Sequence, residues 1–158
     1  MDRMAFKPIV DVKHKGTNYL QMKVILNRVN QAVHFEGNSP TTAVKIHIDG
    51  SPDIGGEGLG ARPMELVLMA LGSCSVLDLI NILKKQKQEI EDVSIEIEGK
   101  RVDTIPAVFT DIHIIFKLKG VIDYNKAIKA AELAVKKYCS VHDMLAAGGV
   151  NITYEVQL

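Results

Sequence analysis

The chain has 158 residues, 47% of them hydrophobic, and its 19 basic residues balance 19 acidic ones to a formal net charge of zero. That is enough apolar material for one packed domain. With no net charge, no tryptophan and 5% aromatic residues, it offers neither a field that attracts nucleic acid or anionic lipid nor a base-stacking platform, so no nucleic-acid or membrane partner is expected.

The first seven residues, Met1 to Lys7, lack the apolar core of a signal peptide. The two cysteines do not make a disulfide scaffold, so a reducing, cytoplasmic setting is expected. Residues 1–20 read as an N-terminal extension with a weakly alternating edge strand at Val10–His14, and 21–158 as a single domain. Short β-prone stretches follow at Met22–Leu26 and Ala32–Glu36, joined by a hairpin connection, and an alternating one at Ala43–Ile48.

A glycine-dense loop, Asp49 to Gly60, leads into the most apolar segment. Pro63 suits the first position of a helix, and Glu65 falls in its first turn, where the helix dipole favours a carboxylate. Lys84, Lys85 and Lys87 close the other end, giving a helix over 63–87. Its run from Leu66 to Leu83 is long enough to suggest a membrane span. Ser73, Ser75, Asp78 and Asn81 argue against one, since an ionised Asp costs roughly 2.5–3.5 kcal/mol on insertion scales. A helix apolar nearly all round is expected to be enclosed by other elements.

Glu91–Arg101 and Phe109–Leu118 alternate as half-buried strands of a hairpin, with Pro106 between them. Asp123 caps a helix over about 124–138. A shorter helix starts near Cys139 and stops at Gly148-Gly149, and Val150–Val156 is a final strand. The order predicts an α+β fold with antiparallel sheets around a long buried helix.

Two cysteines 65 positions apart carry the chemistry. A free thiol has a pKa of about 8.5, so a reactive one needs a cation, a helix N-terminus or a second thiol nearby. Cys74 lies three turns into the long helix, beyond the reach of its dipole. It is either a small core hydrophobe or a nucleophile activated by tertiary contact. Cys139 follows Lys136 and Lys137 at the start of a short helix, a setting that favours thiolate. His142 lies at helical spacing from it, but nothing supplies the remaining parts of a Cys/His hydrolase. The other histidines have no metal-ligand spacing, and no zinc site is expected.

The glycine-rich loop leading to Gly60-Ala-Arg-Pro-Met-Glu-Leu66, followed by Ala70-Leu-Gly-Ser-Cys74, resembles the OsmC/Ohr family of thiol-dependent peroxidases. So does the Ala-rich helix ending in Lys137-Tyr-Cys-Ser-Val141. The match runs from about Met22 to Val156 and is most similar to the YhfA-like branch. It implies an intertwined homodimer with curved antiparallel sheets around a long central helix. In this pattern Cys74 is the peroxidatic cysteine, attacking an organic hydroperoxide and becoming a sulfenic acid. Cys139 is the resolving one, forming a Cys74–Cys139 disulfide that a dithiol or lipoyl-type reductant reopens. No metal or flavin is implied. Arg28 is the nearest match to the family's activating arginine.

The family places a glutamate directly after the proline to orient that arginine. Here the position is Met64, and the carboxylate falls at Glu65, which is roughly 13 Å from Cys74 along a straight helix and on its opposite side. Helix capping or a contact with a neighbouring subunit suits Glu65 there. Met64 supports an alternative: a redox-weakened dimer that binds a small apolar ligand or serves as an interaction protein.

Overall fold

A computed structural model describes residues 22–158; the expected extension and its Val10–His14 strand lie outside the described residues. The fold is α+β, with two three-stranded sheets and a central helix, as the sequence predicts. The first sheet holds β1 (Ile25–Arg28), β2 (Phe35–Asn38) and β3 (Ile46–Ile48) in that order, all antiparallel. These strands are shorter and later than the β-prone stretches suggest. Asn30 Oδ1 accepts the N–H groups of both Ala32 (3.0 Å) and His34 (3.1 Å), and this side-chain-directed turn takes up the residues that would otherwise begin β2.

The second sheet runs β4 (Glu89–Arg101), β5 (Phe109–Val121), β6 (Asn151–Gln157). The alternation of β5 is realised as expected: Ile112, Ile114, Phe116 and Leu118 are buried, while the residues between them face outward. One pairing departs from the antiparallel expectation. β6 lies parallel to β5, with Asp111 opposite Asn151. The reason is the helical return between them, which carries the chain back along the sheet before it re-enters.

That return consists of α2 (Tyr124–Leu133), a π-helical stretch (Ala134–Tyr138) and α3 (Ser140–Ala147). Asp123 caps α2 as expected, its carboxylate accepting Lys126 N–H at 2.9 Å. Gly149, at φ 88°, turns the chain out of α3 into β6.

The long helix α1 (Pro63–Lys85) buries Leu71, Gly72, Ser75, Leu79 and Leu83 against β4, α2 and the π-helical stretch. Gly72 lets the strand pack close, since a Cβ there would sit 2.3 Å from Ile97 Cδ1 and make that side chain shift. By length and composition α1 is apolar enough to cross a membrane; its packed face is that of a core helix. The expectation of full enclosure needs correcting, since Met69 is 56% and Leu77 63% exposed. The described residues supply cover for one side only.

Phe116 anchors this core at 0% exposure. Phe116→Ala removes a ring the neighbours cannot replace, so unfolding free energy measured with denaturant should fall by about 3–5 kcal/mol.

The entry to α1 is set by Asp49, which the sequence reading passed over. Only 1% exposed, its carboxylate accepts N–H groups from Gly50 (2.8 Å), Glu57 (2.9 Å) and Leu59 (3.0 Å), closing the glycine-rich loop on itself. Ala61 then bridges to β3, donating to His47 O at 3.0 Å and accepting from Asp49 N at 3.1 Å. The Leu59 N–H, followed by those of Glu57 and Gly50, holds the Asp49 carboxyl below its ordinary pKa against the opposing effect of burial.

A depressed pKa means stability that is present above the unfolded-state value, about 3.9, and lost as pH falls through the folded one. Asp49→Asn should therefore lower Tm at pH 7. The gap from the unsubstituted protein should narrow below about pH 4, which thermal melts across a pH series would show.

Candidate thiol site

Cys74 sits in the middle of α1 and is half-buried; Cys139 is buried, 1% exposed. α1 presents Leu71, Cys74 and Ser75 within one turn, and the end of the π-helical stretch delivers Cys139 to them. Cys139 leaves helical geometry (φ −77°, ψ 102°) and serves as the N-cap of α3. Its sulfur accepts His142 N–H at 3.3 Å and donates to Leu71 O at 3.8 Å, pinning the thiol between α3 and α1. Cys74 lies close enough to push the pKa of Cys139 up. Two residues 65 positions apart in the chain are thus side-chain neighbours.

The protonation of Cys139 differs from the sequence expectation. Burial pushes its thiol above the ordinary value; the Ser75 hydroxyl and His142 N–H pull it down, and Cys74 pushes it up again. The lysines expected to favour thiolate are turned to aromatic rings: Lys136 Nζ lies 5.8 Å from the Tyr154 ring centre and Lys137 Nζ 5.4 Å from that of Tyr138. Cys139 is a protonated thiol at neutral pH. His142 meets the sulfur through its backbone, while its ring Nδ1 faces Asp143 Oδ1 at 3.2 Å, so the parts of a Cys/His hydrolase are not assembled.

The other two candidates are engaged locally. Arg28 Nε donates to Ala32 O at 2.8 Å and a terminal amino group donates to Gln31 O, so the guanidinium ties down its own β1–β2 turn. Glu65 Oε2 accepts Arg62 N–H at 2.8 Å, the capping role its position suits. Within the described residues neither has a hydrogen bond or ion pair to the thiols.

Met64, Leu68 and Met69 border two cavities. Met64 and Leu68 line one of about 600 Å³ over the start of α1, and Leu68 and Met69 line one of about 510 Å³ between α1 and β4. Neither cysteine lines either.

Sequence reasoning missed Ser75, which is fully buried, donates to Leu71 O at 2.9 Å and influences Cys139. A polar residue one place after a cysteine in an apolar run was the available signal. It also missed the contact between His34 Nε2 and His47 Nδ1 at 2.9 Å, which ties the residue before β2 to β3.

The model of the OsmC-like protein family matches residues 55–155. Protein YhfA of Escherichia coli (strain K12) is 38% identical over 97 residues, 61% of this chain and 72% of that protein. A hypothetical protein from Aquifex aeolicus VF5, known as a crystal structure, superposes with a TM-score of 0.73 at 31% identity, covering 88% of this chain and 98% of that one. OhrB of Bacillus subtilis, an organic hydroperoxide resistance protein, shares the fold at a TM-score of 0.62 and 20% identity, covering 87% of this chain and 98% of that one.

Proposed function

Because the chain belongs to the OsmC-like protein family, a family with redox and peroxide-resistance members, we propose that it is a cytoplasmic, homodimeric thiol peroxidase for organic hydroperoxides. The observation that carries this reading is the pairing of an accessible thiol, Cys74, with a sequestered, protonated one, Cys139. The thiolate of Cys74 attacks the O–O bond; its sulfur becomes a sulfenic acid and the peroxide leaves as an alcohol after taking up a proton. Cys139 then attacks the sulfenic sulfur, water leaves, and a disulfide forms. A dithiol, of the lipoyl type in the cell, exchanges with that disulfide and returns both thiols.

Among the described residues no cation is bonded to Cys74, so a second copy is proposed to supply it, with Arg28 as the candidate cation and Glu65 as the carboxylate that would orient it. The exposed stripe of α1 and the apolar residues exposed on the first sheet, such as Leu26 (56%) and Ile46 (53%), support such a dimer.

The second reading, a redox-weakened dimer that binds a small apolar ligand or acts as an interaction protein, is favoured by Met64 and by cavities that lie away from the sulfurs. Mixing the reduced protein with one equivalent of cumene hydroperoxide and counting free thiols under denaturing conditions separates the two. Rapid loss of both thiols, restored by dithiothreitol, is the expected result. Thiols that persist for hours would leave the second reading standing.

A further inference from the structure

We propose that the cavity over the first turn of α1 is a binding site for a single-chain carboxylate, its apolar tail on an aromatic floor and its anionic head between Arg62 and Arg101. The inference does not rest on the thiol chemistry. The cavity, of about 600 Å³, falls in the usual size range of small-molecule sites. Phe35, Met64, Leu68 and Phe109 form much of its apolar wall. Gly99 keeps that wall in place: a Cβ there would come within 2.5 Å of Phe109 Cε1 and 3.2 Å of Leu68 Cδ2.

The charged groups in the lining divide unequally. The two carboxylates already accept backbone donors: Asp49 those of Gly50, Glu57 and Leu59, and Glu65 that of Arg62. The two guanidiniums are different. Arg101 Nε donates to Ala107 O at 2.7 Å, and its guanidinium carbon lies 6.0 Å from the Phe109 ring centre. That leaves its terminal amino groups without a protein partner among the described residues. Arg62 makes no side-chain hydrogen bond or ion pair there either. Asp53, whose carboxyl also feels Arg62, is held first by the Ser51 hydroxyl.

Two exposed guanidiniums with donors free of protein partners among the described residues, beside an apolar wall, are complementary to a planar anion carrying a hydrocarbon chain. Guanidinium forks match carboxylates, and charge-assisted hydrogen bonds at an apolar surface give such a site its selectivity.

Isothermal titration calorimetry with decanoate and 1-decanol tests the proposal on the full chain. Decanoate should bind saturably, and 1-decanol at least about tenfold more weakly, the loss expected for a charged hydrogen bond. Arg62→Gln and Arg101→Gln should each weaken decanoate about tenfold and leave 1-decanol unchanged. Equal binding of the two ligands, decanoate binding that both variants retain, or no saturable binding because a second copy fills the cavity would each overturn it. Thiol loss with cumene hydroperoxide, read on the same two variants, should stay at the unsubstituted rate, which keeps failure of this site distinct from failure of the peroxidase reading.

Discussion

Cys74→Ser should slow hydroperoxide consumption by at least about a thousandfold, an increase of about 4 kcal/mol in the barrier, whereas Cys139→Ser should still consume one equivalent. The asymmetry follows from the two environments. Cys74 is half-buried and can be reached from solvent; Cys139 is 1% exposed, held between Leu71 O and His142 N–H, and raised in pKa by burial. A serine hydroxyl at position 74 is too poor a nucleophile to open an O–O bond. With serine at 139 the first step survives but no second thiol is present to trap the sulfenic acid. It should persist and then over-oxidise to the sulfinic acid as more peroxide is added. Intact-mass measurement after each equivalent reads both outcomes. If Cys139→Ser is the inert variant and Cys74→Ser reacts normally, the roles are reversed and the proposed mechanism fails.

Leu77→Glu should convert the proposed homodimer to a folded monomer. Leu77 is 63% exposed and Met69 56%, on the side of α1 that no element among the described residues covers. A twofold interface presents each residue twice, so one substitution buries two carboxylates. With a cost of several kcal/mol for each unpaired buried ion, dissociation should strengthen by about ten thousandfold or more. Sedimentation equilibrium measures the shift, and unchanged far-ultraviolet circular dichroism would show that the helix itself persists. Since the activating cation is assigned to the second copy, thiol oxidation should slow in parallel. A Leu77→Glu protein that remains dimeric would place the interface elsewhere. One that becomes monomeric while reacting with peroxide at full rate would remove the partner from the thiol site.

The elements that were legible share a physical property: their signal is local. The alternation of β5 appears directly as buried Ile112, Ile114, Phe116 and Leu118. Pro63 starts α1, Asp123 caps α2 through Lys126 N–H, and Gly149 ends the last helix with a positive φ. Each is a preference of a residue for its own backbone conformation or for a neighbour three or four places away. Glu65 belongs to the same group, since its bond to Arg62 N–H is a contact within the first helical turn.

What misled local reasoning was distance along the chain. Lysines 136 and 137 next to Cys139 suggested a stabilised thiolate, yet both cations stand over tyrosine rings, and burial against α1 governs the sulfur. Asp49 looked like one more loop residue and proved to organise the approach to α1.

The sequence by itself determined the succession of strands and helices, the limits of α1, the inward set of each long strand and the identity of two thiols worth testing. Only the tertiary structure decided that Cys74 and Cys139 are neighbours, that β6 runs parallel to β5, that the described residues leave one side of α1 bare, and that two arginines border an apolar cavity. The first group depends on backbone and side-chain preferences over a few residues. The second depends on contacts closed across dozens of residues, where packing, desolvation and hydrogen-bond satisfaction settle together what no short stretch of chain encodes.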